Sequence, residues 1–147
     1  MTNLELVKAI TSGIPMFADG VETEVIGVDY HVVPDDTGNM IGFGGVVDRA
    51  NTYHSIPIEN LSCSADLTKV PWQQIPWKGI ISSQEIVKMI KTKSPVASGS
   101  RVYPRMMSLY LKKNPRNGEL FYSAECLDKN GISRIYEYVD RLTPVAS

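Results

Sequence analysis

The chain opens with an apolar stripe at helical spacing. Leu6, Ile10 and Ile14 recur at i, i+4 and i+8 with Val7 beside them, and Thr2 followed by Glu5 has the form of a capping box. Gly13 and Pro15 then stop the helix. Past the turn at Asp19-Gly20 the period drops to two, and Ile26, Val28, Tyr30 and Val32 alternate onto one face of a strand expected over Val21 to Val33. Pro34 to Asn39 is a string of turn formers, Met40 to Val47 reads as a glycine-loosened strand, Asp48 to Asn51 as a turn, and Tyr53 to Ile58 as a third strand.

The same pattern then restarts. Ser82 and Glu85 form a second capping box, Ile86, Val87 and Ile90 a second stripe, and Pro95 a second stop. Strands are expected near Tyr103 to Lys112, Glu119 to Leu127 and Ile132 to Val139, separated by Asn114-Pro115-Arg116-Asn117-Gly118 and by the hairpin signal Asp128-Lys129-Asn130-Gly131. Glu5-Leu6-Val7-Lys8-Ala9-Ile10 reappears as Glu85-Ile86-Val87-Lys88-Met89-Ile90, an offset of 80 (85 − 5). At that offset Pro15/Pro95, Tyr30/Tyr110, Gly38/Gly118 and Asp48/Asp128 also match. The expected fold is α+β: two tandem helix-plus-three-stranded-antiparallel-meander units, 1–61 and 81–147, packed with pseudo-two-fold symmetry. Residues 62–80 between them read as an extended connector, with Gln73-Gln74-Ile75 between Pro71-Trp72 and Pro76-Trp77. The two indoles are either lids on a small core, the favoured role in a chain this size, or anchors for a partner.

At 147 residues, 43% hydrophobic and 21% charged, the composition is that of an ordinary globular protein. No apolar run approaches the roughly 18 to 20 residues of a membrane span, and no basic-then-apolar leader opens the chain, so a cytoplasmic protein is expected. Cys63 and Cys126 have no close-spaced partner, which excludes a disulfide framework or zinc knuckle spacing. The net charge of −1 hides a split: residues 1–68 carry two bases and ten acids (−8), and residues 69–147 thirteen bases and six acids (+7).

No specific catalytic or metal motif is present, and no cofactor is expected. Gly42-Phe43-Gly44-Gly45 lacks the helix a dinucleotide site needs. His31, His54, Cys63 and Cys126 match no zinc ligand spacing, and Cys63 with His54 is no more than a nucleophile pair on paper. The basic stretch after the second helix holds the better candidates. On one strand, Arg101, Tyr103 and Arg105 would share a face, giving arginine forks for phosphate and a tyrosine ring for a base. Lys88, Tyr110 and Lys112 extend this anionic-ligand site, with Trp72 and Trp77 as partner-binding candidates.

The run Leu6 to Gly45, with Ser12-Gly13-Ile14-Pro15, Ala18-Asp19-Gly20, Val25 to Asp29 and Gly44-Gly45-Val46-Val47-Asp48, resembles small accessory domains of bacteriophages and prophages. The resemblance covers about the first 60 residues and carries no catalytic residue. What it implies is a protein that binds and disables a host factor or sequesters a nucleotide signal of host defence. The leading expectation is a non-enzymatic binding protein whose basic half occupies an anionic partner: a nucleotide-like signal, nucleic acid or an acidic host protein. The alternatives are a homo-oligomer built through the oppositely charged halves and, third, a small hydrolase using His31 or His54.

Overall fold

Thr2 starts the first helix as the sequence predicts. In the computed structural model, which describes residues 1–72 and 74–145, Thr2 Oγ1 accepts from the Glu5 amide at 3.1 Å and Glu5 Oε1 accepts from the Thr2 amide at 2.9 Å. Helix α1 (Asn3–Ser12) ends at Gly13, whose φ of 64° suits the left-handed cap. There follow β1 (Phe17–Ala18), β2 (Ile26–Pro34), β3 (Met40–Val47), β4 (Tyr53–Pro57), a 3-10 turn (Ile58–Asn60), β5 (Leu61–Ser62) and a second 3-10 turn (Leu67–Lys69). The remainder is α2 (Ser83–Lys91), β6 (Val96–Ser98), β7 (Arg101–Tyr103), β8 (Arg105–Lys113), β9 (Leu120–Leu127), β10 (Arg134–Tyr138), a 3-10 turn (Val139–Arg141) and β11 (Leu142–Thr143). The described residues thus form an α+β protein of two helices and eleven strands in antiparallel sheets. Strand order is β10-β9-β8-β2-β3-β4 in the longest sheet, β1-β5 in a pair and β11-β6-β7 in a triplet.

Two units divide the chain, and neither is a continuous segment. The first comprises Met1–His31, Gly42–Ile75 and Leu111–Leu120; the second comprises Val32–Ile41, Pro76–Tyr110 and Phe121–Ser147. In the first, Leu6, Ala9 and Ile10 of α1 pack with Met16, Val25, Val46 and Leu61, all within 2% of full burial, and Leu120 from the β8–β9 hairpin joins them. Lys113 of that hairpin donates to the Ile10 carbonyl at 3.1 Å. It supplies a cation to the C-terminus of a helix with no basic residue in its own last turn. In the second unit, Ile86 and Ile90 of α2 pack with Val96, Tyr103, Met106, Cys126 and Leu142, and Met40 from the β2–β3 hairpin closes on them.

Four expectations need correction. The strand expected from Tyr103 begins at Arg105, because Pro104 has no amide to donate and sits in a bend between β7 and β8. The strand expected from Val21 begins at Ile26, after Val25 has bridged to Met16. At α2 only half the capping box is made, with Ser82 Oγ accepting from the Glu85 amide at 3.2 Å. The stretch 62–80 is not a free connector: Ser62 is in β5, Leu67–Lys69 is a 3-10 turn, and the two units divide it at Ile75 and Pro76. Gln73 within it lies outside the described residues. No helix among the described residues is long and apolar enough to cross a membrane.

Candidate functional site

One face of the first unit's sheet carries a polar cluster. Alternation along β2 puts Asp29 and His31 on that face, at only 5% and 4% exposure. On β4, Tyr53 and Ser55 stand opposite Val47 and Gly45 of β3. A Cβ at Gly45 would lie 2.2 Å from Asp29 Oδ2. The absent side chain lets the Asp29 carboxylate reach across β3 toward β4. There Tyr53 Oη donates to Asp29 Oδ2 at 2.8 Å, and His31 Nδ1 meets Asp29 Oδ1 at 2.7 Å. On its other side His31 Nε2 is 2.9 Å from Ser55 Oγ, and Phe43 stacks on the imidazole with centroids 5.5 Å apart and planes 9° from parallel.

The roles in this chain of contacts follow from what each group is able to donate. An ionised carboxylate only accepts, so Nδ1 carries the proton; in the neutral ring Nε2 then accepts from the Ser55 hydroxyl. Asp29 and His31 are buried while Ser55 is exposed. A hydroxyl at the surface is therefore backed by an oriented base and a buried acid.

A second histidine serves a turn. His54 Nε2 donates to Asp48 Oδ2 at 2.8 Å, and Asp48 also accepts from the amides of Ala50 and Thr52. The His54 hydrogen bond, then those amides, hold the Asp48 carboxyl below its ordinary range. The pair borders an open cleft of about 370 Å³, with Glu22 and Arg49 in its lining. Among the described residues no three His, Cys, Asp or Glu side chains converge as a metal ion would need.

The second unit has its own buried carboxylate, on the middle of three strands. Glu125 of β9 accepts from Ser108 Oγ of β8 at 3.1 Å and from Tyr136 Oη of β10 at 3.1 Å, while Arg134 lies 3.8 Å away. Arg134, Tyr136 and Tyr138 alternate outward along β10, which ends the sheet order. Tyr136 packs edge-on to Tyr110 at 5.3 Å and remains 47% exposed; Tyr138 packs on Phe121 at 5.2 Å and remains 44% exposed. The Arg141 guanidinium lies over the Tyr138 ring, 5.1 Å from its centroid. Two arginines and two tyrosines thus line one strand and its exit.

Among the residues expected to bind an anion, Arg101 and Tyr103 meet in a hydrogen bond. Arg101 is exposed at the start of β7, and Arg105 is half-buried beyond the Pro104 bend with its Nε unpartnered. Tyr103 between them is 1% exposed, and its hydroxyl donates to Glu137 Oε1 at 2.5 Å. A ring so placed offers no face to a base, which corrects the stacking role expected of it. Glu137 also accepts from Ser98 at 3.2 Å. The arginine pKa at 101 is raised, first by the hydrogen bond with the Tyr103 hydroxyl. Tyr110 is buried, Lys112 half-buried, and Lys88 exposed in the last turn of α2. Trp77 is a lid: its Nε1 donates to the Ile81 carbonyl at 3.0 Å and its ring packs 4.9 Å from Tyr122 on the second core. Trp72 is 43% exposed.

The sequence reading passed over Ser55, Tyr53, Glu125, Arg134 and Tyr138. Alternation along β10 was a visible signal for Arg134, Tyr136 and Tyr138, whereas the meeting of Asp29, His31 and Ser55 depends on one glycine in the intervening strand. No protein-family model matches the chain, and comparison with curated proteins and with solved structures gives no match.

Proposed function

We propose that the chain is a tandem duplication of one helix-plus-sheet unit and that it acts by binding, through occupation rather than turnover, a phosphate-bearing ligand with an aromatic base. What supports the duplication is that corresponding elements start at nearly constant offsets: 80 for the helices (83 − 3) and for β3/β9 (120 − 40), 79 for β2/β8 (105 − 26) and 81 for β4/β10 (134 − 53). Every positive-φ residue described has a counterpart, Gly13 with Lys93, Gly20 with Gly99, Gly38 with Gly118 and Asn51 with Gly131. Side-chain identity has drifted while backbone punctuation has stayed.

The single observation that carries the binding reading is the strip on β10. Arg134 and Arg141 flank two exposed tyrosine rings, and Tyr138 holds the Arg141 guanidinium against its face. A guanidinium held in place loses less freedom when it grips phosphate. Tyrosine faces accept bases without regard to sequence. The partner class is a nucleotide or single-stranded nucleic acid, in keeping with the phage-accessory resemblance, and the reduced Cys63 and Cys126 suit action in the cytoplasm.

The test is direct binding of a labelled oligothymidylate and of free nucleotides to the full chain, followed by fluorescence anisotropy. Arg134→Ala/Arg141→Ala is expected to weaken binding tenfold or more, at about 1.5 to 3 kcal/mol for each charged hydrogen bond lost. Arg101→Ala/Arg105→Ala is expected to weaken it less. The opposite ranking would return the site to the β7–β8 bend, and absence of binding by the parent chain would remove the reading.

A further inference from the structure

Asp29, His31 and Ser55 use none of the residues assigned to ligand binding, and their geometry has chemical content of its own. We propose that Ser55 is an activated nucleophile that accepts an acyl group from an activated ester, one group per chain. The ordering is the one nucleophilic catalysis requires: a surface hydroxyl 2.9 Å from a base nitrogen, the other nitrogen of that base 2.7 Å from a buried carboxylate. Tyr53 and Phe43 fix the two inner members, the first by a 2.8 Å hydrogen bond to Asp29 and the second by stacking on the imidazole. Gly45 keeps the path between them open.

In the step itself Ser55 Oγ attacks the ester carbonyl carbon and its proton passes to His31 Nε2. Asp29 stabilises the imidazolium so formed. The carbon–oxygen bond to the leaving group then breaks, and His31 returns the proton to the departing alkoxide, leaving acyl-serine and an alcohol. Nothing is oxidised or reduced, and the ester is the only co-reactant. The second unit supplies an internal comparison. Ser108 and Tyr136 meet Glu125 there without an imidazole, and Ser133 is an exposed serine with no base among its described side-chain contacts.

The full chain is incubated at neutral pH with p-nitrophenyl acetate and, in parallel, with a fluorophosphonate probe; intact mass gives the stoichiometry and peptide fragmentation the position. One acetyl or phosphonyl group on Ser55 is expected, formed about a hundredfold or more faster than on Ser133, the low end of what a positioned base contributes. Ser55→Ala removes the label, with circular dichroism checking that the chain still folds once buried His31 has lost that hydroxyl, and His31→Gln slows labelling to the rate at Ser133. If the buried His31→Gln chain fails to fold, the Ser55 to Ser133 rate ratio in the parent decides alone. Label confined to lysines, or equal rates at the two serines, overturns the proposal whatever the outcome of the oligothymidylate experiment.

Discussion

Gly45 decides what the first unit's polar face contains. A methyl group there would fall 2.2 Å from the Asp29 carboxylate, so Gly45→Ala must push Asp29 off Tyr53 and His31. The expected loss is about 1 to 3 kcal/mol, the range for overpacking, read as a lower denaturation midpoint with an unchanged slope. Lys93 is the opposite case. It occupies the left-handed position that Gly13 fills after α1, with φ of 56°, a conformation that L side chains adopt at a cost. Lys93→Gly is therefore expected to stabilise the protein by up to about 1 kcal/mol, and a neutral or destabilising result would mean that its side chain makes a compensating contact. Cys126 lies in the second core, where burial first, then Glu137 and Glu125, push its thiol up to about 12. It should resist alkylation in the native chain near neutral pH and react once the chain is denatured, with Cys63 the faster of the two in the native state.

At the scale of elements, turns and caps account for much of the first half's acidity. Asp35 accepts from the Thr37 hydroxyl and from the amides of Thr37 and Asn39; Asp48 and Asp66 do comparable work, Glu5 closes the α1 capping box, and Asp29 is buried in the polar cluster. In the second half Asn114, Asn117 and Asn130 accept from turn amides without a charge. The split itself comes mostly from bases, eleven more in the second half (13 − 2) against four fewer acids (10 − 6), and Asp128, in the turn equivalent to that of Asp48, also accepts from an amide, that of Lys129. Side-chain hydrogen bonds from Thr37, His54 and Thr68 are the largest cause of the lowered pKa values of Asp35, Asp48 and Asp66, and the Thr2 amide that of Glu5. A carboxylate with a depressed folded-state pKa contributes stability above its unfolded value, near 4, and loses it as the pH falls through the folded value. The melting temperature should hold down to about pH 5 and decline below about pH 4, with a shallower decline in Asp48→Asn; a flat acid limb would contradict the assignment. These caps were legible in the sequence because they are local: Thr2 with Glu5, and Asp35 with Thr37 and Asn39, are two to four residues apart. Both helices and β3 were legible for the same reason. The strands β1, β5, β6, β7 and β11 were not, since two or three residues cannot display an alternation and each exists only through its pairing partner.

Over the whole chain, each unit is completed by a hairpin from the far side of the sequence. Lys113 and Leu120 lie 38 (113 − 75) and 45 (120 − 75) residues past the last residue of the first unit's main segment, Ile75, and Met40 precedes the second unit's main segment, which opens at Pro76, by 36 (76 − 40). Linear boundaries drawn from the repeated pattern therefore miss the contacts that finish each core. The candidate site was half legible: a cation-and-aromatic strip was expected in the basic half at Arg101, Tyr103 and Arg105, where Tyr103 is buried, and the same alternation with exposed rings stands at Arg134, Tyr136 and Tyr138 of β10. Lys113→Ala is expected to destabilise the first unit by about 0.3 to 1 kcal/mol through loss of a cation at the α1 C-terminus, measurable as faster amide exchange in α1 than in α2. The proposed grip of Arg134 and Arg141 on a phosphate-bearing ligand is read from oligothymidylate affinity against salt concentration. A straight falling line on logarithmic axes is expected for the parent chain and, for Arg134→Ala/Arg141→Ala, a slope shallower by about 1.4, near 0.7 for each phosphate contact removed from a single strand. Equal slopes for the two proteins, or affinity indifferent to salt, would contradict it.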